Sequence, residues 1–93
     1  MTLISPEKTA LIFGGSRGIG AAIARQLAQE GFRVAITYVS QTEKVRQVVT
    51  NIKASGGRAM AIEADSADPD AIRRAVRDTV DRLGKLDAAI VNT

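Results

Sequence analysis

Hydrophobic and polar positions along the chain follow two different periods. Short apolar runs without alternation, such as residues 9–13, predict strands that are buried on both faces. Between these runs, apolar residues recur at helical spacing and predict helices that end at glycines. The predicted order is β-α-β-α-β-α-β, with strands at 9–13, 33–39, 59–64 and 86–91. The helices are predicted over 18–30, from a Thr42 cap to Gly56, and from an Asp68 cap and Pro69 to Gly84.

Each predicted helix carries an apolar stripe that we expect to face the core. The stripes are Ile19, Ala22, Ile23 and Leu27; Val45, Val48, Val49 and Ile52; and Ile72, Val76, Val80 and Leu83. Strands that alternate with helices of this length form a parallel sheet with helices on both faces. The sequence therefore predicts an α/β, doubly wound parallel sheet in one domain over residues 1–93.

Composition narrows the functions that this chain can perform. With 45% hydrophobic and 25% charged residues, the 93-residue chain has the composition of a folded domain. It has no Cys and no His, which excludes disulfides, thiol nucleophiles and the commonest general base. A net charge of +3 and 3% aromatic residues argue against nucleic-acid binding. The absence of long apolar runs predicts no membrane span and no secretory signal, so we expect a cytoplasmic protein.

A glycine-rich segment, residues 14–20, joins the first strand to the first helix and is the main candidate site. We call it the glycine segment. Gly14 would let the chain turn off the strand, Gly18 would let the backbone approach a pyrophosphate, and Gly20 would let the helix pack closely on the sheet. The amide groups at the start of the helix would then point at the phosphates. This pattern favours a Rossmann-like dinucleotide site over the alternative, a glycine-rich turn that binds nothing.

The end of the second strand bears on which dinucleotide binds. Domains that prefer NAD place an acidic residue about 20 positions after the glycines, on the ribose 2′-hydroxyl. Here Tyr38 lies eighteen residues after Gly20 with Ser40 close by, and the nearest carboxylate along the chain is Glu43. Arg17 is a cation that could pair with a 2′-phosphate. These residues favour NADP(H) over NAD(H), although Arg17 could be a solvated surface residue and Tyr38 could pack near the adenine without specificity.

Three segments together resemble the short-chain dehydrogenase/reductase family. Residues 10–24, ALIFGGSRGIGAAIA, are similar to its TGxxxGxG cofactor loop; Asp65-Ser66 resembles its adenine-side pair; and residues 86–92, LDAAIVN, resemble the strand that runs into its NNAG motif. The layout looks most like the 3-oxoacyl-reductase-like members. For the doubly wound sheet we expect strand order 3-2-1-4. The resemblance implies that residues 1–93 are the N-terminal part of a single NAD(P)-binding domain.

The resemblance also assigns roles to individual residues. It implies that the phosphates and adenosine ribose are wrapped by Gly14, Ser16, Arg17, Gly18, Ile19 and Gly20. Asp65 and Ser66 would lie beside the adenine, and Asn92 would lie near the ribose. Asp65 could instead be only a loop or cap residue, and Asn92 could only brace the strand end.

The chain departs from the family pattern at two positions. Phe13 stands where the family has Thr, whose hydroxyl ties the loop to neighbouring backbone, and Thr93 stands where the second Asn of NNAG is expected. A phenyl ring cannot form that hydrogen bond. Loop rigidity and cofactor affinity therefore depend on what replaces the missing hydroxyl.

The resemblance implies an NADP(H)-dependent oxidoreductase that reduces a small-molecule carbonyl or oxidises an alcohol. The family's catalytic Ser and Tyr-x-x-x-Lys lie beyond the fourth strand, and Tyr38 is followed at the fourth position by Thr42. We therefore expect the 93-residue chain to be an incomplete sheet without activity of its own, from a parent that is a dimer or tetramer. The alternative is a non-catalytic protein that binds or senses a dinucleotide.

Overall fold

The computed structural model describes residues 8–14, 18–40, 42–65 and 67–91. Within them the chain follows the predicted order of elements. The strands are β1 (Thr9–Phe13), β2 (Arg33–Tyr38), β3 (Arg58–Glu63) and β4 (Ala88–Val91). The helices are α1 (Gly18–Gln29), α2 (Thr42–Ala54) and α3 (Pro69–Leu83).

The strands form one parallel sheet in the order β3-β2-β1-β4, as predicted. Phe13 pairs with Thr37 on one side and with Val91 on the other, and Tyr38 pairs with Glu63. The strands therefore end nearly level with one another. We call the edge formed by these four strand ends the carboxyl edge. Ligands of open α/β sheets bind outside this edge.

Helices cover both faces of the sheet. Helices α1 and α2 pack against one face, over a cluster that includes Ile12, Ile36 and Val48. Helix α3 packs against the other face, over a cluster that includes Leu11 and Phe13. The central strand β1 is buried along its whole length, whereas β4 is partly exposed and leaves Val91 67% accessible. The arrangement confirms the Rossmann-like, doubly wound fold.

The core face of α1 differs from the predicted stripe. Ile19 is 72% exposed and Ala22 is also exposed, whereas Gly20, Ala21 and Ala24 are buried. Small residues allow the helix axis to lie close to the sheet, so the face in contact is the one without large side chains. The predicted stripe is therefore wrong for Ile19 and Ala22, while Ile23 and Leu27 pack at the margin of the core.

Helix α3 shows the same shift. Its buried residues are Ala71, Ala75 and Thr79, and Val80 is 40% exposed. The Thr79 hydroxyl donates a hydrogen bond of 2.7 Å to the Ala75 carbonyl, so this buried polar group is satisfied within the helix. The prediction was wrong for Val80, and the other predicted residues, Ile72, Val76 and Leu83, flank the buried stripe. In α2 the prediction is confirmed, because Val45, Val48 and Ile52 are buried.

The signals at the ends of α3 act as predicted. The Asp68 side chain accepts a hydrogen bond from the Asp70 amide, and Pro69 is the first helical residue. Gly84 closes the helix at φ 92°, with its amide donating to the Val80 carbonyl. None of the helices in the described part of the chain is long and apolar enough to cross a bilayer.

Boundaries of five elements differ by one or two residues from the prediction. Helix α1 ends one residue early, β2 stops at Tyr38, β3 runs one residue earlier at both ends, and Thr42 is the first residue of α2 rather than its cap. Strand β4 begins at Ala88, two residues later than predicted. Just before it, Asp87 donates its backbone amide to the Thr9 carbonyl at 2.9 Å. One of its carboxylate oxygens accepts a hydrogen bond of 2.8 Å from the Thr9 amide.

Candidate functional site

The junction between β1 and α1 lies at the carboxyl edge. Gly14 follows the last residue of β1 and has φ 80°, a left-handed conformation that favours glycine. Gly18 is the first residue of α1 and is exposed, while Gly20, two residues later, is buried against the sheet. Gly14 therefore leaves the extended conformation where the strand ends, and the first turn of α1 lies close to the sheet.

The start of α1 has space and charge that suit an anionic ligand. Gly18 has φ 33°, and a Cβ built there meets nothing within 4 Å in the described part of the chain. The first turn of α1 contains no acidic residue. The free amides and positive dipole end of a helix favour phosphate groups. The described residues at this junction therefore fit the pyrophosphate of a dinucleotide.

The end of β2 forms the next part of the edge. Tyr38 is the last strand residue and is half-buried against the α1/α2 cluster, and Ser40 is exposed two residues later. The sheet register places Glu63, an exposed carboxylate, beside Tyr38. Spacing along the chain gave no sign of this neighbour, because only strand pairing brings β3 next to β2. Among the described residues, Glu63 carries the carboxylate that strand pairing places next to Tyr38.

Asp65 lies just after β3 and shapes the connection to α3. Its side chain accepts a hydrogen bond of 2.9 Å from the Ala67 amide, and its backbone carbonyl accepts one of 3.0 Å from the Asp68 amide. Both bonds are typical of a turn that an aspartate stabilises locally. Asp65 is exposed and lies two residues beyond the end of β3, at the carboxyl edge.

A hydroxyl that the sequence did not reveal contacts the glycine segment. The Gly14 amide donates a hydrogen bond of 3.1 Å to Oγ1 of Thr37, a residue of β2 that is 1% exposed. The only sequence signal is that Thr37 is a polar residue within an otherwise apolar strand core. Its contact with Gly14 depends on the pairing of β1 with β2.

The structure brings the described candidate residues to one edge of the sheet. Gly14 and Gly18 flank the β1–α1 turn, Tyr38 ends β2, and Asp65 follows β3. Ile19 and Ser40 are exposed beside them. The other predicted residues, Ser16, Arg17, Ser66 and Asn92, lie outside the described residues.

Comparison with known proteins gives a family match over nearly the whole chain. The family model described as short chain dehydrogenase matches residues 8–93. The 3-oxoacyl-(acyl-carrier-protein) reductase FabG of Staphylococcus aureus is 45% identical over 85 residues, which are 91% of this chain and 35% of that protein. Versicolorin reductase stcU of Emericella nidulans is 42% identical over 85 residues, or 91% of this chain and 32% of that protein.

Solved structures of dehydrogenases also match this chain, in both sequence and fold. A dehydrogenase/reductase from Sinorhizobium meliloti is 54% identical with a TM-score of 0.89, over 91% of this chain and 34% of that one. A short chain dehydrogenase from Burkholderia cenocepacia in complex with NADP is 55% identical with a TM-score of 0.85, over 88% of this chain and 34% of that one. The chain thus spans about a third of the length of these relatives.

Proposed function

This chain belongs to the short-chain dehydrogenase family, and from that premise we propose that it binds NADP(H) at the carboxyl edge as the cofactor-binding part of an oxidoreductase. The observation that carries the proposal is the start of α1, where a Cβ on Gly18 would meet nothing within 4 Å among the described residues and the first helical turn has no acidic residue. A pyrophosphate is the ligand group that best fits free amides and a positive helix end.

The candidate residues at the carboxyl edge have different proposed roles in holding the cofactor. Gly14 and Gly18 give the backbone the close approach to phosphate that a side chain would block. We assign Asp65 to the adenine amine. The remaining ribose and adenine contacts are proposed for Ser16, Ser66 and Asn92, which lie outside the described residues. Ile19 covers the cofactor with an exposed apolar side chain. The bound nicotinamide supplies the hydride in this class of reaction.

The preference for NADP(H) over NAD(H) rests on charge at the end of β2. Tyr38 stands where a carboxylate would exclude a 2′-phosphate, and Arg17 supplies a cation for that phosphate. A relative that is 55% identical was solved in complex with NADP, which supports the same choice here. Glu63 lies beside Tyr38, so the preference depends on Arg17 outweighing that carboxylate.

The substrate that we propose is a small-molecule carbonyl or alcohol, and the names of two relatives, a 3-oxoacyl-(acyl-carrier-protein) reductase and a versicolorin reductase, support a reduction reaction. The proton-transfer residues of the reaction would lie outside residues 1–93, so the 93-residue chain alone would bind cofactor without turnover. Phe13, which removes a hydroxyl from the cofactor loop, favours the second candidate function, a protein that binds or senses the dinucleotide without catalysis.

Two glycine variants test the proposed cofactor site. Gly18 and Gly56 both have positive φ, and a Cβ at either one meets nothing within 4 Å in the described chain. Gly18→Ala puts a methyl group in the phosphate space, so NADPH binding should weaken at least about tenfold, a loss of about 1.4 kcal/mol. Gly56→Ala likewise places a side chain at positive φ, after the end of α2, and should leave the Kd unchanged. Equal losses in the two variants, measured by NADPH fluorescence, would argue against the site.

Turnover separates the two candidate functions. The product of the complete reading frame should oxidise NADPH when a 3-oxoacyl thioester or a simple ketone is added, and the loss of NADPH absorbance measures this directly. Binding of NADPH without turnover on any carbonyl of the panel would favour the sensing protein. Failure to bind NADPH at all would contradict both.

A further inference from the structure

The first residue of the glycine segment, Gly14, follows β1 and is hydrogen-bonded to the neighbouring strand β2. The Gly14 amide donates to Thr37 Oγ1 at 3.1 Å, although the two residues are 23 positions apart in the chain. Gly14 is the first residue after β1, so this bond acts on the point where the backbone leaves the sheet. Thr37 is 1% exposed and Gly14 is half-buried, so the acceptor side of this bond is shielded from water.

The register explains why the hydroxyl comes from β2. Phe13 and Thr37 are paired residues of parallel strands, so their side chains lie on the same face of the sheet. Phe13 fills the cluster beneath α3 and is 4% exposed, and its ring offers no polar atom to the turn. At this level of the sheet, β1 contributes apolar packing and β2 contributes the hydrogen-bond acceptor.

A second buried threonine in this sheet, Thr9, has a hydroxyl without a hydrogen-bond partner among the described residues. Thr9 begins β1, is fully buried, and lies on the same face as Phe13. Its Oγ1 has no hydrogen-bond partner within the described part of the chain. Most buried side-chain polar atoms have a partner, so Thr9 is the exception, and it offers a matched control threonine that makes no contact with the glycine segment.

We propose that Thr37 is a positioning residue for the cofactor. Its hydroxyl fixes the Gly14 amide and so sets the path of the backbone from β1 into the glycine segment that receives the phosphates. The inference rests on the proposed function, since it concerns the affinity of the same site. It adds a residue of β2 that contributes through Gly14 rather than by contact with the ligand.

Three variants separate the hydroxyl from its surroundings. Thr37→Val keeps the shape and removes the acceptor, so the Kd for NADPH should rise about tenfold, equivalent to about 1.4 kcal/mol. Thr37→Ser keeps the hydroxyl and should bind within about threefold of the wild type, equivalent to about 0.6 kcal/mol. Thr9→Val makes the same change at the far end of the same face and should leave the Kd unchanged. The Kd is measured by NADPH fluorescence on the product of the complete reading frame, with thermal unfolding of each variant recorded alongside.

Hydrogen exchange of the Gly14 amide provides a readout that needs no cofactor. In the wild type this amide should exchange much more slowly than in an unstructured peptide, and Thr37→Val should accelerate it while Thr37→Ser does not. An unprotected Gly14 amide in the wild type would overturn the inference even if Thr37→Val failed to fold.

The outcomes distinguish this inference from the proposed function. If the wild type binds NADPH and Thr37→Val binds equally well, the positioning role is wrong and the cofactor site stands. If Thr37→Ser is as weak as Thr37→Val, the hydroxyl is not the cause and the inference is overturned. If the wild type does not bind NADPH, the proposed function fails and the positioning role for a cofactor fails with it.

Discussion

Replacing Tyr38 with aspartate is expected to weaken NADPH binding by about tenfold to a hundredfold while leaving NADH binding within about threefold. Tyr38 is the last residue of β2 and lies at the carboxyl edge, eighteen residues after Gly20. A carboxylate at this position would repel a 2′-phosphate and could accept a hydrogen bond from a 2′-hydroxyl. Two like charges about 4 Å apart interact by about 4 kcal/mol at an effective dielectric constant of about 20, and partial exposure of the site reduces that figure.

Tyr38→Asn is the control for this change. Tyr38 packs against the α1/α2 cluster, so either substitution removes part of an apolar contact. Asparagine matches aspartate in size and has no charge, and it should therefore keep the preference for NADPH. The ratio of the NADPH and NADH dissociation constants, measured by the same fluorescence titration, decides the point. Equal ratios for the Asp and Asn variants would show that Tyr38 acts through packing and not through the absence of charge.

The largest expected effect on stability comes from Ile12 in the central strand. Ile12 is fully buried in β1, between β2 and β4, in the cluster under α1 and α2. Truncation of a buried isoleucine to alanine leaves a cavity and lowers the free energy of unfolding by about 2–5 kcal/mol. Domains of this size are stabilised by only about 5–14 kcal/mol, so Ile12→Ala should remove a large share of the total. Urea denaturation measures the loss.

Ile19→Ala makes the same chemical change at a residue that is 72% exposed. It should alter the free energy of unfolding by no more than about 0.5 kcal/mol, as is usual for surface substitutions. The pair therefore tests the assignment of the α1 core face, since the apolar pattern of the sequence placed Ile19 toward the core. Comparable losses at the two positions would mean that α1 lies on the sheet by its Ile19 face after all.

The sequence was sufficient for the order of elements and the sheet, and it failed on two helix faces. Strand β1 matches its predicted range, because a short apolar run that stops at two glycines has few other interpretations. The contact faces of α1 and α3 were misplaced because they consist of small residues such as Ala24 and Ala75. A pattern that counts large apolar side chains finds the margin of such a face, whereas close helix-to-sheet packing selects its centre.

The candidate site divides in the same way. Gly14 and Gly18 were predicted because a glycine spacing at a strand-to-helix junction has a direct physical reason. Thr37 and Glu63 were missed because their place in the site depends on which residues of neighbouring strands pair. Register is a tertiary property, and nothing in the local sequence of β2 states which residue of β1 it faces.

Binding of NADP(H) at the carboxyl edge is tested most directly by amide chemical shifts measured during an NADP⁺ titration. Signals of Gly14, Gly18 and Tyr38 should move, while those of Gly56 and Gly57 should not. Gly56 and Gly57 line a groove between the C-terminal ends of α1 and α2, at the opposite edge of the sheet. Shifts confined to that groove, or no shifts at all at saturating NADP⁺, would contradict the account.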